Sequence, residues 1–446
     1  MKKHLMPSVA LAIAAALLTA CQAAPQPSAT NGQPGSTDGT PASTDQLQLR
    51  VMTRASGTDA SAKVWAGLIK DFEAANPTID IIDESISEEQ AYNDKLNADM
   101  ASGNLPALFR IQGVASLRQY IEAGLLMDVT PILQANPDWA KGFQDGSLST
   151  WQYDGIEGSY GVPMEMSPMG FFYNKKLFQQ AGISQVPETW DEFKDACKKL
   201  VAAGIQPIAL GAKDIWRAGH LHNAMLYRSV GVQKAKDLGA RTAKWTDPDV
   251  VATFQLFADL KDLGAFGKNS EGIDYEQEKA LFFTGKAAMD YNAAYAIGEI
   301  ETAPVAEDLS VFATPGFADK PELKGDYRET LNAYFLSNKL TDAEKDAVAK
   351  FVVFVTSAEA GLRYATEAKS MVPRTDVHPT AEQVGRLYTE TAELGKLVTN
   401  PGLDVFAYDP LPSMQDVTRN AAVGILTGNT AQQAAQQIQD EVDSAS

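Results

Sequence analysis

Gln48-Leu-Arg-Val-Met-Thr53, then Arg54-Ala-Ser-Gly-Thr-Asp59, then a run in which Val64, Trp65, Leu68, Ile69 and Phe72 recur, then Asn76-Pro77 and Ile79-Asp-Ile-Ile82. The first segment has the alternation and β-branching of a short strand, and the Gly-centred hexapeptide after it is a turn. The five apolar residues share one helical face, and Asn-Pro ends that helix before a second strand begins. The alternation continues outward. A helix near 89–101 ends at Gly103, Pro106 opens a third strand over Ala107–Ile111, and a further helix stops at Gly124. Strand, helix, strand, helix with short joints predicts a parallel sheet with right-handed crossovers, so the first part of the chain is α/β.

The pattern restarts past the middle. Thr189-Trp-Asp-Glu192 has the spacing of a capping box, and its helix runs to Gly204 before a strand at Ile205–Leu210. Asp247-Pro248 opens a helix that ends at Gly264, Tyr275–Thr284 is helical, and Lys286–Tyr291 is a strand. Thr341 and Glu344 form another box heading a helix that breaks near Ser357, and 414–443 is helical with a turn at Gly428-Asn429. No repeat of fixed period is present. About 400 residues after the polar N-terminal stretch suffice for two lobes.

The N-terminus carries its own message. Lys2 and Lys3 precede an apolar run that ends in Leu18-Thr-Ala-Cys21, an order that resembles a bacterial lipoprotein signal and would leave Cys21 as the lipid-bearing first residue. The run is short for a membrane span. From Gln22 to Asp45 the chain is almost entirely Pro, Gly, Ser, Thr, Ala, Gln and Asn, which reads as a tether. Residues 1–20 are thus expected to be signal and 21–45 tether, with the rest working on the outer face of the cell membrane. The formal charge of −19 argues against nucleic acid and anionic surfaces as partners, although a local basic pocket would override that mean. With Cys21 acylated, Cys197 has no partner, so no disulfide is expected; placed on an amphipathic helix, it reads as a buried, inert thiol.

Signatures of catalysis are missing. There is no G-x-S-x-G, no H-E-x-x-H and no phosphate-binding G-x-x-x-x-G-K-[ST]; Thr284-Gly-Lys286 lacks the upstream glycine. His220 and His222 lack a nearby third ligand, so no metal or other cofactor is expected. A pair of carboxylates for glycoside hydrolysis needs no local motif and stays open.

Binding is better marked. Ligands of open α/β sheets sit beyond the carboxyl ends of the strands. There the sequence places Arg54, Ser56 and Asp59; Arg110 and Gln112; Trp216 with Asp214 and Arg217; and Tyr291, Asn292 and Tyr295. Rings and planar hydrogen-bonding groups suit a pyranose, which offers an apolar C–H face and a rim of hydroxyls. Trp65, Trp151 and Trp190 stand at helical or pre-strand positions and read as packing residues.

Tyr160-Gly-Val-Pro163, Tyr173-Asn-Lys-Lys-Leu-Phe178, Ala181-Gly182 and Pro187-Glu-Thr-Trp-Asp-Glu-Phe193 resemble, in order and spacing, the central segment of the extracellular solute-binding proteins of sugar ABC transporters, the maltose-binding-like group. Phe282-Phe-Thr-Gly-Lys-Ala-Ala-Met289, Asn76-Pro77 and Leu126-Met-Asp-Val-Thr-Pro131 fit the same group. The resemblance implies a two-lobed periplasmic-binding-protein-like fold of type II, with discontinuous lobes, hinge crossings and closure on the ligand. It puts 46–163 and 331–371 in an N-terminal lobe and 164–330 and 372–446 in a C-terminal lobe. Carried over residue by residue, it sets Tyr295 where the maltose binder has a stacking tryptophan, Arg110 at its first-lobe ring, and Gln415, with Tyr408 close by, at its last stacking position. Those departures count against maltodextrin. Glu165, just after the first crossing, joins the expected ligand contacts.

The expectation is therefore a monomeric, non-enzymatic, lipid-anchored carbohydrate receptor that hands its sugar to ABC transporter permease subunits. The alternatives are a secreted glycoside hydrolase and a binder of a non-sugar or phosphorylated polyol, to which Arg54 and Arg110 would be suited.

Overall fold

A computed structural model describes residues 46–111 and 113–445. Cys21, the tether and Gln112 lie outside the described residues. The strands are β1 (Leu47–Met52), β2 (Ile79–Asp83), β3 (Leu108–Arg110), β4 (Val162–Asn174), β5 (Gln206–Ala209), β6 (Ala287–Ala293), β7 (Leu309–Ala313), β8 (Asp326–Leu336) and β9 (Asn400–Gly402). They are hydrogen-bonded in the order β2-β1-β3-β8-β4-β6-β5, with β7 on β4 and β9 on β8.

The expected parallel ladders are present at both ends: β1 pairs with β2 and β3, and β5 with β6. The middle corrects the expectation. β8 runs antiparallel to β3 and β4, and β4 antiparallel to β6 and β7, so the sheet is mixed. The cause is topological: a chain that leaves one half and returns must send strands back against the first ones.

β4 and β8 make the crossings. Residues 162–168 of β4 pair with β8, and residues 169–174 pair with β6 and β7. The ladder shifts register between Pro163 and Glu165, where the strand leaves the first half. A third passage follows the helix Ala358–Glu367, whose Ala360 and Tyr364 pack in the first half; the next helix, Ala381–Gly395, packs Leu387 in the second. The protein is thus a two-lobed α/β molecule with discontinuous lobes.

Each half covers its sheet on both faces. Val64, Trp65, Leu68 and Phe72 of the helix Ala60–Ala75 lie with Val348 and Phe351 against one face of the first half, while Tyr92, Phe109, Trp151 and Phe335 fill the other. In the second half Phe171, Trp190, Phe193 and Phe312 form one cluster and Phe172, Phe282 and Ile297 another. Burial of each such side chain is worth about 1.5–3 kcal/mol. Cys197 sits in the first of these clusters, where burial pushes its thiol up and leaves it inert.

Local signals set the helix ends. Asp59 Oδ1 accepts from Ala62 N at 2.8 Å, and Thr189–Glu192 and Thr341–Glu344 close as capping boxes. Gly103 ends its helix at φ 70°, a conformation that costs glycine nothing. One helix departs from the sequence expectation. Trp216, placed by the sequence only as a residue beyond a strand end, is the first residue of the helix Trp216–Gly239, which breaks at Gly231 (φ 83°).

Candidate functional site

The two halves meet around a cavity of about 400 Å³. From the first half come the loop after β1 and the end of β3; from the second, the start of the 216–239 helix, the turn after β6 and the helix Met414–Leu426. The crossing strands β4 and β8 supply its base.

Of the residues expected at a ligand, Arg54, Asp59, Arg110, Glu165, Trp216 and Tyr295 line this cavity. Tyr92 holds the root of Arg110, since its hydroxyl accepts from the Arg110 N–H at 2.9 Å and donates to the Arg110 carbonyl at 2.6 Å. Glu165 accepts from Asn332 Nδ2 at 2.8 Å, a bond between the two crossing strands. Burial pushes the Tyr295 phenol up to about 12, so it faces the site as a neutral hydroxyl.

Ser56, Asp214, Arg217, Tyr291 and Asn292, also expected there, do not line the cavity. Asn292 is 1 % exposed and lies behind the cavity, where its amide donates to Asp290 Oδ2 at 2.9 Å and Tyr275 Oη at 3.1 Å. It is the sixth residue of an entirely buried strand, so it extends the core rather than the ligand surface. Ser56 is not among the lining residues; its N–H closes the turn onto the Arg54 carbonyl at 3.1 Å. Among the described residues no cluster of three or more His, Cys, Asp and Glu is placed to hold a metal.

Behind the rings lies a buried polar layer. The Arg217 guanidinium sits 4.7 Å from the ring centre of Trp216 and 5.0 Å from that of Tyr275, and bonds to Glu278 and Asp290 at 2.8 Å each. Burial drives Glu278 above the ordinary carboxylate range, against the opposing pull of Arg217. Asn292 ties Asp290 to Tyr275, so Trp216 and Tyr275 are held from behind by one hydrogen-bonded unit.

Several lining residues were not anticipated. Arg328 bonds Asp404 through both carboxylate oxygens at 2.8 and 3.1 Å. His220 Nε2 stands 3.0 Å from Arg328 Nη2, and burial, followed by Arg328, lowers the imidazole to about 3, so it accepts as a neutral ring. Burial opposes ionisation of Asp404, but Arg328 outweighs it and keeps the carboxyl well below its usual range. Phe406 adds a ring beside Arg419, whose guanidinium carbon is 4.9 Å from its centre. Glu89, at the start of the helix Glu89–Ser102, follows β2 as Arg54 follows β1, and the strand-end rule applied to β2 points to it.

Glu89 also joins the halves. Its carboxylate accepts from Arg419 at 2.9 Å and Gln415 at 3.1 Å across the cavity, and from Arg54 at 3.3 Å on its own side. Nearby, the N–H groups of Val114 and Ala115 both donate to the Ala407 carbonyl at 2.9 and 2.8 Å. The halves therefore touch directly beside the cavity. Such a site can surround a small polar ligand, stack it on rings and bond its rim.

Comparison with known proteins agrees with this architecture. The multiple sugar-binding protein of Streptococcus mutans is 25% identical over 311 residues, covering 67% of this chain and 69% of that protein. The diacetylchitobiose binding protein of Streptomyces coelicolor is 26% identical over 315 residues, covering 66% and 70%. A solved chitin oligosaccharide binding protein superposes with a TM-score of 0.81 at 28% identity, over 90% of this chain and 99% of that one. Residues 55–362 match the model of the bacterial extracellular solute-binding proteins, and the chain belongs to that family.

Proposed function

We propose that the protein is a lipid-anchored receptor that captures a mono- or short oligosaccharide outside the cell and delivers it, enclosed, to the permease of an ABC transporter. The observation that carries this reading is the cavity between the halves, of a size usual for small ligands, in which Trp216, Tyr295 and Phe406 stand beside guanidinium, amide and carboxylate groups. Rings take the apolar face of a pyranose and the planar polar groups take its hydroxyls. Relatives named for sugars and chitin oligosaccharides support the ligand class.

The mechanism is a shift of population. Residues from both halves reach the ligand together only when the cavity is closed, so the ligand binds the closed form better and draws the equilibrium toward it. No bond is made or broken. The permease then reads the closed form. On this reading the N-terminal lobe comprises 46–163 and 331–371 and the C-terminal lobe 164–330 and 372–446, the molecule is a monomer, and lipid on Cys21 keeps it at the outer face of the membrane.

A thermal-shift screen over mono- and oligosaccharides tests the reading. A sugar at a hundred times its dissociation constant should add about 2.7 kcal/mol to stability. Small-angle scattering with that sugar should show a smaller radius of gyration. Absence of any stabilising sugar, or turnover of one, would count against a receptor.

A further inference from the structure

The arginines around the cavity are unevenly matched. Arg328 has Asp404, and Arg217 has Glu278 and Asp290. Arg54 and Arg419 share the single carboxylate of Glu89, with Asp404 a further 3.7 Å from Arg419. Arg110 has no ion pair among the described residues, and its Nε is buried without a hydrogen-bond partner. Its backbone is pinned by Tyr92, so the side chain projects into the cavity from a fixed root.

These groups feel one another. Burial first, with Arg110 and Arg419 adding to it against the pull of Glu89, holds the Arg54 guanidinium below its ordinary value. Two guanidinium groups thus share Glu89, and a third, Arg110, stands near enough to Arg54 to oppose its charge, in a chain whose formal charge is −19. Elsewhere in the cavity Lys279 lies between Glu276 and Glu299, Glu165 accepts from the neutral amide of Asn332, and Glu329 is buried at the wall with its carboxyl pushed up to about 7 by burial, so among the described residues Arg110 is the lining cation left without a carboxylate. A half-buried cation with an unsatisfied donor is costly unless something completes it. A guanidinium is best completed by a carboxylate or phosphate, whose paired oxygens match its fork.

We propose that the ligand carries an acidic group, a carboxylate or a phosphate, and that Arg110 is the residue that selects it, with Arg54 beside it. This rests on the receptor reading and narrows it from carbohydrates in general to acidic ones. The remainder of the ligand lies on the rings of Trp216 and Tyr295. The acidic exterior repels such a ligand at long range, so its association should quicken with added salt while the contact with Arg110 weakens.

Calorimetry on the mature protein tests it with matched probes: galactose against galacturonate and glucose against glucuronate, each as mono- and disaccharide, with sn-glycerol 3-phosphate and inorganic phosphate as a second arm. At least one acidic probe should bind ten times or more tighter than its neutral twin. Arg110→Gln should close that gap, and Arg110→Lys, which keeps the charge and loses the fork, should close it in part; unchanged melting of the unliganded variants shows that they fold. A uronate preference assigns the carboxylate, and a preference for the phosphate ester over every sugar assigns the phosphate while overturning the carbohydrate reading. Tight binding of neutral sugars with no preference for their acids overturns the inference and leaves the receptor reading standing. A preference that survives in Arg110→Gln overturns the role of Arg110, and binding of no probe overturns both.

Discussion

Replacing Trp216 with alanine removes a ring that works on two sides. Toward the cavity the indole offers a plane to the ligand; behind it the Arg217 guanidinium lies 4.7 Å from the ring centre, and the rings of His220 and Tyr275 meet it edge-on at 5.0 Å. Loss of the stacking plane should cost about 1.5–3 kcal/mol in binding, roughly ten- to a hundredfold in affinity. Loss of the cation–π contact and the ring edges should cost the unliganded protein about 1–3 kcal/mol of stability, because Arg217 then keeps only Tyr275 over its face. Trp216→Phe restores a smaller plane and should recover part of both. Calorimetry with the most stabilising ligand, and urea unfolding without it, measure the two effects separately. Normal affinity in Trp216→Ala together with a clear loss of stability would refute the reasoning, since the indole would then be only a lid on Arg217.

Three further outcomes are expected. Cys21→Ala should move the protein from the membrane fraction to the medium or to an uncleaved precursor, as fractionation and blotting would show; full membrane retention would remove Cys21 as the anchor. Glu89→Ala removes the charge-assisted bonds to Arg419 and Gln415, each worth about 1.5–3 kcal/mol, so ligand-free protein at low salt should show a larger radius of gyration than the wild type; an identical radius would mean that this contact does not hold the halves together. Burial lowers His222 to about 3, so the unfolded chain takes up a proton below its pKa near 6.5 that the folded chain refuses, and stability should fall by about 1.4 kcal/mol per pH unit from 6.5 toward 3 on its account. His222→Gln should remove that slope in urea titrations run from pH 7 to 4.5, and parallel curves for the two proteins would show that the imidazole is protonated in the fold.

The architecture was legible wherever the local sequence decides it. Apolar spacing from Val64 to Phe72, the boxes at Thr189 and Thr341, and Gly103 in its left-handed turn mark helices whose ends are fixed within a few residues. Strand direction is not local, and the antiparallel crossings of β4 and β8 left no mark that a parallel reading could have caught. β8 is hidden further by its composition. Asp326, Arg328 and Glu329 are charged, yet all three are buried in a strand at the meeting of the two halves. The 216–239 helix escapes for the converse reason: every residue from Arg217 to Ser229 is buried, so no apolar stripe distinguishes one face from another.

Of the strand-end residues, Arg54, Arg110, Trp216 and Tyr295 line the cavity and Asn292 lies buried behind it, and the difference is physical. The rule locates a strand's end; a strand that runs through Ala293 still sends alternate side chains to opposite faces, so a residue inside it does not inherit the surroundings of one just beyond it. What the sequence cannot display is the layer under the ligand surface. Asn292, Asp290, Glu278 and Arg217 come from three separate elements and meet only in the folded chain, where they hold Tyr275 and Trp216 from behind. The same holds for the charge balance. Net charge does not fix the charge of one cavity, and only the fold shows that Glu89 is divided between Arg54 and Arg419 and that Arg110 is left over. Arg110 is thus a lining cation that no carboxylate among the described residues pairs, and the proposal that it selects an acidic ligand rests on that imbalance.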